Sequence, residues 1–134
     1  MDTVDPRPNQ MKELISKVPK GVPIVMLNML RFRETAKYPD GRSELTGRDA
    51  YAIYSKEAFK HVKQCGGEVI WFGDAQGAAI GPPGESWDQI FLVRYPSIDM
   101  FIEMVNSASY QDIVVHRTSA LKDSRLIATI ESGK

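Results

Sequence analysis

The chain has 134 residues, which suits one domain with a buried core and leaves little room for a second. Its 17 basic residues balance 17 acidic residues and no block rich in Lys or Arg is present, so we expect no nucleic acid partner. One cysteine excludes an internal disulfide. Because the sequence shows no export signal, we expect a cytoplasmic protein. It also has no apolar run of ~20 residues, so we expect no membrane partner.

The first predicted element is a helix within an N-terminal extension, residues 1–22. Asn9 is a typical N-cap residue, and Pro19 with Gly21 ends the helix. The apolar residues of this helix share one face: Met11, Leu14, Ile15 and Val18. We expect the extension either to cover a cleft or to widen a dimer interface, outside the single domain formed by residues 23–134.

Residues 23–32 predict the first strand, an apolar run with Asn28 in its middle. A buried amide without a partner costs about 1–3 kcal/mol, so Asn28 should bind backbone atoms or contact a ligand. The two interpretations of Asn28 are equally compatible with the sequence. The alternation groups Asn28 with Met26 and places Leu27 with Met29 on the other face, but either face can be the one that the helices cover.

A polar segment, residues 33–47, predicts a loop, and a long helix follows it. Thr46 and Asp49 resemble a capping box at the start of that helix. Gly66 and Gly67 predict where it ends.

The stretches EVIWFGDA and WDQIFLVRY predict two antiparallel strands. Pro83 and Gly84 between them suit a type II turn, and we expect a bulge near Gly73 or Gly77. The two strands therefore form a hairpin.

A second amphipathic helix begins after Ser97, and a further helical stretch runs from about Tyr110 to Leu121. The segment SRLIATIE predicts the last strand. The order β-α-β-β-α-β predicts an α+β domain of the ferredoxin-like kind with an antiparallel sheet.

Apolar residues occupy both faces of the predicted strands, although the helices of this topology cover only one. The simplest cover for the second face is the sheet of a second copy, which would give a homodimer shaped as an α/β barrel. The alternative is that the N-terminal helix or the loop of residues 33–47 folds across that face within one subunit. We expect the homodimer, because a sheet that is apolar on both sides makes an unsuitable monomer surface.

Several motifs make the chain similar to one known family. They are MLNMLRFRE, GGEVIWFG, LVRYPS and SASYQDIVVHRTSAL followed by DSRLI, in this order over most of residues 23–131. They resemble the domain of unknown function 1330 family, within the dimeric alpha/beta barrel superfamily. The resemblance implies a ferredoxin-like subunit and a barrel-like homodimer, and it implies no particular activity.

His116 and Arg117 are the candidate catalytic residues, with Tyr110 upstream on nearly the same helical face as Arg117. A guanidinium binds a carboxylate through two parallel hydrogen bonds, and an imidazole takes up a proton near neutral pH. The pair predicts an anionic organic substrate. The alternatives are an ion pair or helix C-terminal cap for Arg117 and a solvated helix surface for His116.

Three further residues are candidate ligand contacts together with Asn28 and Tyr110. Tyr54 and Trp71 supply aromatic walls of the kind that small-molecule pockets use, although such residues also fill ordinary cores. Arg94 interrupts an apolar strand and therefore needs a partner, either a carboxylate across the sheet or a ligand.

No metal site and no cofactor is predicted. His61 and Cys65 lie four residues apart on a helix, but two ligands without a third make a poor metal site. Gly77, Gly81 and Gly84 do not form the pattern GxGxxG and lead into a strand, so no nucleotide cofactor is indicated.

Three functions follow from the cleft expected between sheet and helices. The first is an enzyme without metal or nucleotide, an isomerase or a monooxygenase as the superfamily resemblance implies, acting on an anionic or aromatic ligand. The second is a non-catalytic or stress-related dimer that binds a small molecule. The third, again implied by the superfamily resemblance, is a haem-binding or haem-degrading protein: haem-degrading members use an Asn, a Trp and a His, types that Asn28, Trp71 or Trp87, and His116 supply here.

Overall fold

The fold consists of four helices and four strands, seen in a computed structural model that describes residues 2–42 and 44–133. In chain order the elements are α1 (Gln10–Lys17), β1 (Ile24–Phe32), α2 (Gly47–Gln64), β2 (Glu68–Asp74), β3 (Gln89–Tyr95), α3 (Ile98–Asn106), α4 (Ala108–Ala120) and β4 (Leu121–Thr129). None of the helices in this part of the chain is long and apolar enough to cross a membrane.

The strands form one antiparallel sheet in the order β2-β3-β1-β4. The first and third strands are therefore central, and the second and fourth are at the edges. This arrangement confirms the predicted ferredoxin-like α+β fold. Within the subunit the sheet is open and does not close into a barrel.

The cap residues explain where the helices begin and end. The hydroxyl of Thr46 accepts a hydrogen bond from the Asp49 N–H at 3.0 Å and opens α2. Gly66 follows α2 with a φ of +82°, the left-handed conformation that glycine adopts without strain. Ser97 caps α3 through the Met100 N–H at 3.2 Å, as predicted.

Two helix starts differ from the expectation. Ser107 ends α3 and caps α4, so α4 starts at Ala108, slightly before the predicted position. Asn9 makes no side-chain cap for α1, because its own backbone is already in the helical region.

The hairpin of β2 and β3 has its bulge at Ile70, not at Gly73 or Gly77. Val69 and Trp71 pair with adjacent residues of β3, so Ile70 is the additional residue. Gly73 keeps its regular pairing, and its missing side chain leaves room for the Trp71 indole. The predicted turn is present, with Gly84 at a φ of +79°.

The core lies on one face of the sheet. Met26 and Leu30 of β1 and Val93 of β3 are buried there together with side chains of α2, α3 and α4. Asn28 alternates in step with Met26 and Leu30. Its side chain therefore lies on the helix-facing side of the sheet, which the sequence had not decided. The loop of residues 33–46 adds Tyr38 to the same core.

The opposite face of the sheet is apolar at its centre and only partly buried. Leu27 and Met29 of β1 lie beside Leu92 of β3, and all three are half-buried. Trp71 of β2 is 61% exposed and Ile127 of β4 is 48% exposed on the same side. The core residues of the described helices all pack on the other side.

Candidate functional site

A cavity of about 1040 Å³ lies between the helix-facing side of the sheet and the helices. The four strands form its floor, α2, α3 and α4 form one side, and residues of the N-terminal segment form another. Apolar and aromatic residues form most of its lining, and polar and charged side chains form the rest. Small-molecule sites in proteins have this size and composition.

The aromatic part of the floor comes from the hairpin. The rings of Phe72 and Phe91 stack with centroids 5.4 Å apart and an interplanar angle of 22°. Phe91 pairs with Asn28 across the strands, so aromatic and amide groups are adjacent on the cavity floor. Neither phenylalanine was among the predicted site residues, although Phe91 and Val93 alternate in β3 and therefore share a face.

Tyr54 and Tyr110 bring two hydroxyl groups together in the cavity wall. Tyr54 is on α2 and Tyr110 on α4, and their hydroxyl oxygens are 2.5 Å apart. Burial raises the pKa of Tyr54 well above its ordinary value, and the neighbouring Tyr110 raises it further. The hydroxyl of Tyr54 therefore stays protonated at neutral pH.

Asn28 presents its amide from the middle of β1. Its Nδ2 donates to the carbonyl oxygen of Met26 at 3.2 Å, which is a local bond within the same strand. Within the described part of the chain its side-chain oxygen accepts no hydrogen bond, and Asn28 lines the cavity. The amide therefore has one acceptor and one N–H that a bound molecule can reach.

Arg117 lies in the wall at the end of the cavity that the N-terminal segment covers. One guanidinium nitrogen donates to the Val4 carbonyl at 2.7 Å, and the other donates to the Ser124 hydroxyl at 3.4 Å. The Asp5 carboxylate is 4.0 Å away, and the Arg117 side chain is only 15% exposed. The positive charge of Arg117 thus already has oxygen partners in the N-terminal segment.

The N-terminal segment is held to the edge of β4. The Ser124 N–H donates to the Thr3 carbonyl at 2.6 Å, and the Thr3 N–H donates to the Asp123 carboxylate at 2.8 Å. Helix α1 follows and lines the cavity, with Met11 and Leu14 half-buried. No residue of α1 is fully buried.

Four of the seven candidate site residues therefore line one cavity, since Asn28, Tyr54, Tyr110 and Arg117 all border it. The other three, Trp71, Arg94 and His116, lie elsewhere and are described next.

Trp71 and Arg94 lie on the opposite face of the sheet. The bulge at Ile70 turns Trp71 outward, opposite Leu92. Arg94 pairs across the strands with Glu68, and the two side chains form an exposed ion pair at 2.9 Å. The partner that Arg94 required is thus a carboxylate of the adjacent strand.

His116 is turned away from the cavity lining. Its Nδ1 lies 2.7 Å from the Tyr38 hydroxyl, and the two rings meet edge to face. It therefore contacts the loop of residues 33–46, although its sequence neighbour Arg117 reaches the cavity.

No group of three His, Cys, Asp or Glu side chains that suits a metal ion occurs in residues 2–42 and 44–133. The ring nitrogens of His61 contact the Glu57 carbonyl and the Ser109 hydroxyl, each at 3.0 Å. Cys65 donates its thiol hydrogen to the Val62 carbonyl. These two residues thus bind neighbouring helix groups.

Comparison with known proteins gives the family. The family described as domain of unknown function (DUF1330) matches residues 38–130. The chain belongs to the DUF1330 family. The predicted resemblance is thereby confirmed. No match was found among curated proteins.

Two solved structures share the whole fold with this DUF1330 chain. One is the RPA0582 protein of unknown function from Rhodopseudomonas palustris, which is 35% identical over 100% of both chains with a TM-score of 0.91. The methylated RPA0582 protein is 38% identical over 99% of this chain and 98% of that chain, with a TM-score of 0.90. The similarity includes the N-terminal segment and β1, which precede the family match.

Two distant structures share the fold alone. The hydroxynitrile lyase from Passiflora edulis is 10% identical over 85% of this chain and 97% of that chain, with a TM-score of 0.58. A dimeric protein of unknown function with a ferredoxin-like fold from Bacteroides fragilis is 6% identical over 80% of this chain and 94% of that chain, with a TM-score of 0.51.

Proposed function

We propose that this DUF1330 protein is a homodimer that binds a small organic molecule, with an apolar or aromatic body, in the cavity between helices and sheet of each subunit. The observation that carries the proposal is the cavity itself. Its volume of about 1040 Å³ is just above the usual range of ligand pockets, roughly 300–1,000 Å³, so it has room for a small organic molecule. Of its polar groups, Asn28 and the Tyr54–Tyr110 pair lie beside the aromatic residues and would orient the bound molecule.

The polar groups favour binding over proton transfer. Tyr54 has a raised pKa, which makes it a poor base at neutral pH. The imidazole of His116 contacts Tyr38 instead of the cavity. A catalytic role of His116 and Arg117 in a metal-free isomerase or monooxygenase therefore lacks a shared reaction site.

Neither the fold nor the aromatic residues support a more specific reaction. The Passiflora edulis protein is a hydroxynitrile lyase, but at 10% identity its activity does not transfer with the fold. The haem hypothesis needs an Asn, a Trp and a His around one porphyrin. Asn28 faces the cavity, whereas Trp71 faces the other side of the sheet and His116 binds the loop, so the three do not converge.

In the proposed dimer, the sheets of two subunits pack against each other through the faces that the helices do not cover. The half-buried centre around Leu27, Met29 and Leu92 is apolar, and a second copy would cover it in a two-fold arrangement. The Bacteroides fragilis protein of the same fold is dimeric, which supports a dimer without specifying which faces meet. The cavity lies on the other side of the sheet, so each subunit would keep its own site.

The test of the cavity uses a neutral fluorescent probe, N-phenyl-1-naphthylamine, which brightens when it leaves water. Ala58 of α2 lines the cavity and is 8% exposed, so Ala58→Phe should fill it and weaken probe binding at least tenfold. Ala52 is on the exposed side of the same helix, and Ala52→Phe is the matched control that should bind as the unchanged protein does.

Circular dichroism of both variants checks that α2 remains folded. Failure of the unchanged protein to bind the probe would refute the cavity as a binding site. Equal weakening by both substitutions would do so as well.

A further inference from the structure

The charged groups that border the cavity are concentrated where the N-terminal segment meets α4 and β4. Arg117 is bonded to the Val4 carbonyl at 2.7 Å and lies 4.0 Å from the Asp5 carboxylate. Arg125 donates to the Asp123 carboxylate at 2.6 Å. Both arginines therefore have oxygen partners from this chain before any ligand arrives.

Helix α1 adds two opposite charges at the surface of the cavity. Glu13 and Lys17 lie one helical turn apart, and both are exposed to water. A charge in contact with water attracts a ligand weakly, because solvent and salt screen it. These residues give no strong preference for an anion.

The polar side chains that β1, α2 and α4 place beside the aromatic floor of the cavity are neutral: Asn28, Tyr54 and Tyr110. The pair of Tyr54 and Tyr110 has two hydroxyl protons, and only one of them lies between the two oxygens. The second proton is available to an acceptor on a bound molecule. Asn28 adds an N–H donor and a carbonyl acceptor next to the Phe91 ring.

We infer that the ligand is uncharged: an aromatic or apolar body with a carbonyl, amide or hydroxyl group that Asn28 and the Tyr54–Tyr110 pair bind. The inference rests on the proposed function and narrows its ligand class. It replaces the anionic substrate that His116 and Arg117 predicted as a pair, because His116 contacts Tyr38 and the Arg117 guanidinium is bonded to Val4.

The pKa values of Tyr51 and Tyr54 indicate that the cavity wall disfavours a negative charge. Burial raises the pKa of both Tyr51 and Tyr54, while the nearby Arg117 lowers it, and the effect of burial is the larger in each case. A tyrosinate is an anion formed in the cavity wall itself. A ligand carboxylate in the same place would lose its water in the same way, with the same incomplete compensation from Arg117.

A matched pair of competitors tests the inference. 2-Naphthamide and 2-naphthoate have the same ring and almost the same shape, and they differ in charge at neutral pH. In displacement of N-phenyl-1-naphthylamine from the full-length protein, 2-naphthamide should compete at a concentration at least tenfold lower than 2-naphthoate. A 2-naphthoate that competes equally well or better, or a bound probe that neither compound displaces, would overturn the inference.

A failure of the probe itself to bind would instead refute the proposed function, so the two failures are distinguishable. Tyr110→Phe tests the hydroxyl pair: it should weaken 2-naphthamide about fivefold and leave 2-methylnaphthalene, which has no polar group, unchanged. Tyr38→Phe is the matched control, because Tyr38 is equally buried but its hydroxyl bonds His116 outside the cavity. Equal loss for both ligands, or no loss, would contradict the assigned role of the Tyr54–Tyr110 pair.

Discussion

The two faces of the sheet have similar apolar content and different surroundings. On the helix-facing side, the polar residue Asn28 faces a cavity, and Arg117 in the wall of that cavity is bonded to the chain's own backbone. On the opposite side, the centre around Leu92 is apolar, and the ion pair of Arg94 with Glu68 is exposed. A polar residue within an apolar strand can therefore have two different roles. Asn28 faces a cavity, whereas Arg94 has an ion-pair partner on the neighbouring strand.

The largest expected effect is on dimer formation through the face of the sheet that the helices do not cover. Leu92→Glu would place a charge at the centre of the proposed dimer interface in both copies, and burying it without a partner is costly. We expect the dimer dissociation constant to rise at least 100-fold, about 2.7 kcal/mol. Sedimentation equilibrium measures this constant. Ile80→Glu, in a loop where Ile80 is 97% exposed, should leave the dimer intact.

Probe binding in the cavity should survive Leu92→Glu, because that residue is on the other side of the sheet. An unchanged protein that sediments as a monomer at micromolar concentration would remove the dimer from the proposed function. It would leave the cavity proposal standing.

The next effect compares one arginine from each side. Arg117→Gln removes the donor to the Val4 carbonyl and should lower the free energy of unfolding by about 2 kcal/mol. Arg94→Gln removes only an exposed ion pair and should cost less than about 1 kcal/mol. Urea denaturation of the two variants gives both values. If Arg117→Gln lowers the free energy of unfolding by no more than Arg94→Gln does, the bond between Arg117 and Val4 does not stabilise the fold.

A smaller effect is expected at Asn28. Asn28→Leu replaces an amide that has one local hydrogen bond by an apolar group of similar size. We expect the ligand-free protein to gain about 1 kcal/mol of stability and to bind 2-naphthamide more weakly. Thermal unfolding and probe displacement measure the two changes. A loss of stability would indicate that the amide serves the fold and not a ligand.

The smallest effect is confined to acid pH and to the edge strand β4. Burial raises the pKa of Asp123, but hydrogen bonds from the Thr3 N–H and Arg125 lower it more, so the net pKa is below its ordinary value. The folded carboxyl group therefore binds protons less readily than the unfolded one. Its stabilising contribution is present above the unfolded pKa of about 4 and is lost as pH falls through the folded pKa.

Asp123→Asn should flatten this part of the stability profile, measured by urea denaturation between about pH 2 and pH 5. Asp74→Asn is a control at an exposed carboxyl group elsewhere in the sheet. A profile as steep in the Asp123 variant as in the unchanged protein would assign the acid sensitivity to other groups.

The order of the elements followed directly from the sequence, because the cap residues and the apolar periods are local signals. Thr46 and Ser97 both cap the helices that they predict. The hairpin and its turn at Gly84 are likewise local. These features need no knowledge of distant contacts, so the ferredoxin-like fold could be predicted.

The face that each strand residue occupies could not be predicted with the same certainty. Both alternations of β1 are apolar, so the sequence did not determine which side Asn28 faces. In β2 the bulge at Ile70 shifts the alternation by one residue. Strict alternation would place Trp71 on the same face as Val69, and the bulge turns Trp71 outward and Phe72 toward the cavity.

Long-range contacts determined the remaining differences at the site. Arg117 binds Val4, which is 113 positions away in the chain, and His116 binds Tyr38 across 78 positions. No local pattern contains such pairings. The residue types of the site were therefore accessible from the sequence, whereas their partners required the structure.

The wall formed by the N-terminal segment has a consequence for the evolution of the site. Residues such as Met11 and Leu14 border the cavity, yet α1 contains no fully buried residue. Substitutions in this wall can change the shape of the cavity with little effect on folding. The sequence of this segment can therefore vary more freely than that of the sheet, and the shape of the cavity can vary with it.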